Sequence, residues 1–220
     1  MLKGIIFDFD GVIAESVQVK TDAFSALYVP YGRDIVSKVV EHHEANGGMS
    51  RFEKIRLYHG SFLNKSITNK EITDLANQFS ALVIDKVISA PYVPGVLEYI
   101  QISHKNYKLY ISTGTPTEEM KLILIGRGIS QYFSDIFGSP EKKTDHINKI
   151  IFKYGLKREE LLFFGDSDSD KNAAAFHRVQ FVLRLHSLNQ NHFGNYTGKT
   201  IKNFNYIPSN IFQTRKKNKC

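Results

Sequence analysis

Cysteine is nearly absent from this chain: the only one among 220 residues is Cys220, the last. That excludes an intrachain disulfide and a cysteine metal site, and it suits a reducing compartment, the cytoplasm being the expectation. No apolar run reaches the ~20 residues that span a bilayer. Met1-Leu2-Lys3 leads directly into a β-rich run without a signal-peptide pattern, so no membrane partner is expected. No basic helix with interleaved aromatics is present either. The net charge of +7, from 29 Lys+Arg against 22 Asp+Glu, therefore does not point to nucleic acid and suits a small anionic substrate or simple solubility. Internal repeats are lacking too. Hydrophobic content of 42% and charged content of 23% are ordinary for a globular protein, and the length allows one full core with a smaller insert.

The stretch Gly4-Ile5-Ile6-Phe7-Asp8-Phe9-Asp10-Gly11 organises the rest. A short, β-rich apolar run reads as a buried strand. It ends in two carboxylates, Asp8 and Asp10, just where open α/β sheets bind ligands. Two acids with no neutralising neighbour call for a cation, although an Asp-x-Asp alone is equally an acidic turn.

A helix-favouring stretch follows from about Glu15 to Lys86. Ser16 reads as an N-cap before Val17, Phe24 and Leu27; Asn46-Gly47-Gly48 breaks the pattern; Ser50 and Thr68 or Asn69 cap the next helices. Some seventy residues of helix exceed what a βα crossover needs. The expected organisation is a core of residues 1–14 and 89–200, a helical insert of 15–88 and a basic C-terminal tail of 201–220.

From Ala90 onward, strands alternate with helices. Strands are expected near 107–111, 136–137, 160–164 and 179–185, and the alternation predicts an α/β fold with a doubly wound, Rossmann-like parallel sheet. Three strand ends carry chemistry: Asp8 and Asp10, then Ser112 and Thr113, then Asp166 and Asp170, with Lys142 and Lys143 in the loop after Gly138-Ser139-Pro140. Carboxylate oxygens suit a hard divalent cation, and hydroxyls, amides and a lysine suit a phosphoryl group.

Asp8-Phe9-Asp10-Gly11-Val12-Ile13, Ser112-Thr113-Gly114, the lysine after Gly138 and Gly165-Asp166-Ser167-x-x-Asp170 together resemble the haloacid dehalogenase superfamily. The likeness is to its phosphatase and β-phosphoglucomutase-like group, with a helical cap after the first strand, and it covers about residues 1–190. It implies Asp8 as nucleophile and Asp10 as general acid and base. It implies Ser112 and the Thr113 and Gly114 amides on the phosphoryl group, with Lys143, or Lys142, neutralising charge. It implies Mg2+ held by Asp8, the Asp10 carbonyl and Asp166, with Asp170 as a further ligand or outer partner. The expected activity is hydrolysis of a small phosphorylated metabolite, a sugar phosphate for example, by a monomer. A phosphomutase and a non-catalytic binding module are the alternatives.

Other residues carry weaker signals. Gly47-Gly48-Met49-Ser50-Arg51 can approach the core, and Arg51 either grips the substrate or pairs with Glu53 or Glu44 at the surface. Lys20 is a lesser candidate of the same kind. His42, His43 and His146 show no metal spacing and are expected at the surface. Arg215 to Lys219 carry four of the six basic residues after Gly198, where no acid occurs, and are expected to be a solvated terminus.

Overall fold

The computed structural model describes residues 1–207, so the basic cluster of 215–219 lies outside the described residues. Strand β1 (Gly4–Phe7) leads into four helices, α1 (Val17–Tyr28), α2 (Arg33–Ala45), α3 (Arg51–Leu57) and α4 (Asn69–Ser89). Then come α5 (Val96–Ser103), β2 (Lys108–Pro116), α6 (Thr117–Gly126), β3 (Asp135–Ser139) and α7 (Lys143–Tyr154). The described chain closes with β4 (Leu161–Gly165), α8 (Asp168–His177), β5 (Gln180–Arg184) and β6 (Lys199–Ile201). All six strands run parallel in the order β3-β2-β1-β4-β5-β6. The three-residue β6 was not foreseen, being too short to show a period.

Both faces of this sheet are covered, which is why β1 reads as a continuous apolar run. Ile5 and Phe7 point to one face with Ile111 and Phe164, and Phe7 stacks on Phe164 at 5.5 Å. Ile6, Tyr110 and Phe163 point to the other, against Ile147 and Ile150 of α7 and Ala173 and Ala174 of α8. Chain order reverses at β1, with β2 on one side and β4 on the other. A crevice therefore opens at their carboxyl ends. Register fixes what meets there: Phe7 pairs with Ile111 and with Phe164, so Asp8 comes level with Ser112 and Gly165.

The inserted helices have their own aromatic core, in which Phe24 lies 4.4 Å from Phe79 and 5.8 Å from Tyr58. Thr68 caps α4 as expected, accepting from Glu71 N at 3.2 Å while Glu71 accepts from Thr68 N at 2.8 Å. At the other end Arg127 Nη1 donates to the Val87, Ile88 and Ala90 carbonyls, each at 2.8 Å. Two adjacent linkers join the insert to the sheet: Glu15 N donates to Pro91 O at 2.9 Å, and Val93 N to Ile13 O at 3.0 Å. Among the described residues no helix is long and apolar enough to cross a membrane.

Candidate active site at the carboxyl ends of the central strands

Asp8 sits one residue beyond β1 and is buried. Lys143, the first residue of α7, reaches it: Nζ donates to Asp8 Oδ2 at 2.7 Å and to Asp170 Oδ1 at 2.6 Å. Lys142 is the exposed residue before the helix, so the two lysines that sequence left open are separated by geometry. Burial pushes the Asp8 carboxyl up to about 7 against the pull of Lys143. Burial would lower Lys143, but the carboxylates of Asp170 and Asp8 outweigh it and hold the ammonium charged.

Asp166 follows β4 and is buried as well; burial raises its carboxyl even though His186 Nε2 lies 3.0 Å from Oδ2. Asp170 is fully buried on the first turn of α8. Its Oδ2 accepts from Ser167 Oγ at 2.6 Å and from the Ser167 and Asp166 amides at 3.2 and 3.3 Å. Ligand atoms of Asp8, Asp166 and Asp170 lie within 4.8 Å of one another. Three clustered buried carboxylates, two of them raised by burial, form a hard-oxygen donor set that fits Mg2+. Asp8 Oδ1 accepts from Phe9 N at 2.7 Å and its Oδ2 from Lys143. Asp170 likewise has both oxygens engaged, supporting the lysine and the loop, whereas Asp166 is hydrogen-bonded through Oδ2 to His186.

Asp10 is partly buried and turns away from this cluster. Lys20 of α1 is salt-bridged to its Oδ2, and Ser16 Oγ donates to Oδ1 at 2.6 Å. Ser16 makes no side-chain cap on α1, contrary to expectation; its hydroxyl is turned to Asp10 instead. Burial would raise Asp10, but the Lys20 charge and the hydrogen bonds from Lys20 and Ser16 hold it below the usual carboxylate value. Lys20 also donates to Thr115 Oγ1 at 2.6 Å, which ties the insert to β2.

Ser112 lies in β2, level with Asp8, and faces a histidine. His146 Nδ1 is 2.9 Å from Ser112 Oγ, and its Nε2 is 3.2 Å from the Gly138 carbonyl oxygen. A carbonyl only accepts, so Nε2 carries the proton and Nδ1 accepts from the Ser112 hydroxyl. The surface placement expected for His146 is thus overturned: it is fully buried, with burial first and Lys143 second pushing it down to about 4. Its position three residues after Lys143 and four before Ile150, on one face of α7, was the available signal.

Thr113 and Gly114 continue β2, where the register with β3 shifts between Ser112 and Pro116. Gly114 lies under Gly48 of the insert; a Cβ on it would meet the Gly48 carbonyl oxygen at 2.8 Å. Gly48, at φ +77°, would itself carry a Cβ 2.1 Å from Ser169 Oγ and 3.1 Å from Lys143 Nζ. Only glycine allows this approach.

A cavity of about 80 Å³ lies beneath, lined by Asp8, Asp10, Asp166 and, from the insert, by Lys20, Arg51 and Lys54. Arg51 is buried, not paired with Glu53 or Glu44 at the surface. It makes a bidentate pair with Glu119 of α6, at 2.8 and 2.6 Å, and its guanidinium lies 4.5 Å from the Phe79 ring centroid. His43 is also buried against expectation, between Lys54 and Phe24. Spacing along one helix could not reveal these partners, which come from other elements.

A family model described as haloacid dehalogenase-like hydrolase matches residues 5–183. The chain is 27% identical over 180 residues to the phosphoglycolate phosphatase of Photorhabdus laumondii, covering 79% of this chain and 76% of that protein. It is 27% identical over 182 residues to the glyceraldehyde 3-phosphate phosphatase of Methanocaldococcus jannaschii, covering 76% and 77%. Among solved structures, β-phosphoglucomutase from Clostridium difficile superposes with a TM-score of 0.75 at 20% identity, covering 93% of this chain and 92% of that one, which bears on the fold alone.

Proposed function

This chain belongs to the haloacid dehalogenase-like hydrolase family, and we propose that it is a magnesium-dependent phosphatase of a small phosphorylated metabolite, working through an aspartyl-phosphate. The observation that carries this reading is the convergence on Asp8 of a buried lysine, a second buried carboxylate and a cavity, at the switch point of the sheet. The relatives in the family are phosphoric monoester hydrolases, which sets the reaction class.

Asp8 supplies the nucleophilic oxygen. Its attack on phosphorus forms the acyl phosphate bond as the ester P–O bond breaks, and Asp10 delivers a proton to the departing alkoxide. Asp10 then takes a proton from the water that attacks phosphorus, freeing inorganic phosphate and regenerating Asp8. Lys143 neutralises Asp8 and the phosphoryl oxygens, and Ser112 with the Thr113 and Gly114 amides orients them. Ser112 must turn its hydrogen from His146 toward the phosphoryl group to do so. Asp8, the Asp10 carbonyl and Asp166 would hold Mg2+, with Asp170 beside them, and the ion would supply the further positive charge that the meeting of two anions needs. Residues 15–88 act as the cap and residues 1–14 with 89–200 as the core, Gly48 closing over Lys143 to exclude water.

Phosphate release from a panel of phosphorylated sugars, acids and aldehydes, with and without Mg2+, tests the reading. Metal-dependent release that Asp8→Asn abolishes is the expected result. Release of no phosphate, with isomerised sugar phosphate as product, would assign a phosphomutase instead.

A further inference from the structure

One buried cation has no part in the reaction above. Lys54 of α3 is 1% exposed and lines the same cavity as Asp8 and Asp10. Its Nζ lies 2.8 Å from His43 Nδ1, 3.4 Å from the His43 carbonyl oxygen and 5.6 Å from the Phe24 ring centroid. The other basic side chains from the insert that line the cavity are committed, Lys20 to Asp10 and Arg51 to Glu119, and Lys143 is held by Asp8 and Asp170. Among the described residues, Lys54 has no carboxylate partner.

An ammonium buried without a counter-charge is costly. Burial, and then repulsion from Lys20, brings Lys54 down to about 7. His43 offers no negative charge: burial and then Lys54 push it down to about 2, so it is a neutral imidazole that accepts one N–H. At least one N–H of Lys54 is left for something else in a cavity that also exposes the reacting carboxylates. The cavity is small, about 80 Å³, so a substrate with its phosphoryl group at Asp8 has room there for only a few further atoms.

We propose that Lys54 receives a carboxylate at the far end of the substrate, which is then the phosphate monoester of a short hydroxy acid of about two or three carbons. A single ammonium matches the single charge of a carboxylate. A second phosphoryl group brings nearly twice that charge and would need an arginine fork or further lysines, and an aldehyde or hydroxyl would leave the lysine uncompensated. The inference rests on the phosphatase reading for the place of the phosphoryl group.

Its test uses phosphoglycolate, the uncharged amide of phosphoglycolate, and p-nitrophenyl phosphate. The wild-type chain should favour the acid over the amide by about 30-fold or more in kcat/KM, the worth of one charged hydrogen bond. Lys54→Met, which keeps the stem and removes the charge, should collapse that preference to within about threefold and harm the acid far more than the aryl ester. Lys54→Arg should restore part of the preference. Equal use of acid and amide by the wild type overturns the proposal, and that comparison decides even if Lys54→Met does not fold. Should no ester be turned over, the phosphatase reading fails, and calorimetric binding of acid and amide to Asp8→Asn still decides the subsite. Tighter binding of the acid supports Lys54 as the receptor, and equal binding refutes it.

Discussion

Lys20 and Asp10 are ion-paired across the boundary between the inserted helices and the sheet, and the same lysine donates to Thr115 on β2. The Asp10 carboxylate, for which we propose the proton transfers, therefore has its charge environment set by a residue of the insert. Any movement of α1 relative to the sheet changes that charge environment. The pairing with Lys20 favours the ionised Asp10, the form the proposed water step needs, and opposes the protonated form that the proposed leaving-group step needs.

Removing Lys20 should shift the pH profile in a defined direction. Lys20 lowers the Asp10 carboxyl, so Lys20→Met lets it rise. The ionised form that accepts the proton from water is then lost at higher pH, and the acidic limb of kcat on an aryl phosphate, whose leaving group needs no proton, should move up. Measuring both profiles on an aryl phosphate checks this; coincident acidic limbs would remove Lys20 from the proton transfer.

Lys143 bridges two buried carboxylates, so Lys143→Met leaves both without their cation. The expected cost is about 3–5 kcal/mol of stability, together with loss of turnover. Lys143→Met combined with Asp170→Asn should regain much of the stability and none of the activity. Denaturant titration of the two variants separates the roles: equal stabilities would mean that Asp170 is not the second buried charge the lysine serves.

The strand ends were legible because a parallel sheet writes them as apolar runs closed by polar residues, and register alone then brings Asp8 to Ser112 and Gly165. Lys143 could not be told from Lys142 in sequence, since the choice depends on where α7 begins. Ser16, Lys20, His43, Lys54 and Glu119 act through partners on other elements, and a helical period says which face a side chain occupies, not what it meets. His146 was legible in principle: with Lys143, Ile147 and Ile150 it lies on the buried face of α7. Polarity argued for the surface, and the hydrogen bonds to Ser112 and Gly138 outweigh it by satisfying both ring nitrogens.

Metal and proton should compete at Asp8. With its carboxyl pushed up to about 7, the metal-free chain carries a proton there below that pH, and Mg2+ must displace it. Apparent Mg2+ affinity should fall up to about tenfold per unit as pH drops below about 7, and Asp8→Asn should flatten the dependence. The same shift has a stability sign. The folded metal-free state binds a proton that the unfolded chain has already lost between about 4 and 7, so the Asp8 contribution is present at low pH and is lost as pH rises through that window. Thermal melts across it, with and without Mg2+, should show metal stabilising most at the alkaline end. Affinity independent of pH would mean that Asp8 is not a ligand.

The clasp between Arg51 and Glu119 separates two roles for the insert. Arg51 lines the cavity, but Glu119 already neutralises it from α6, and Ser80 of α4 is 2.6 Å from the same guanidinium. The pair joins α3 of the insert to α6 beside the sheet. Glu119→Gln leaves a buried guanidinium without its charge and should cost about 3–5 kcal/mol, whereas Arg51→Met with Glu119→Gln removes both charges and should cost less than either alone. Arg51→Met should lower kcat/KM for phosphoglycolate and for p-nitrophenyl phosphate by similar factors, because closure serves every substrate. A loss confined to phosphoglycolate would mean that Arg51 leaves Glu119 on binding and grips the substrate itself. Kinetics of the single variants on the two esters, with a double-mutant cycle from denaturant melts, distinguish a clasp from a grip.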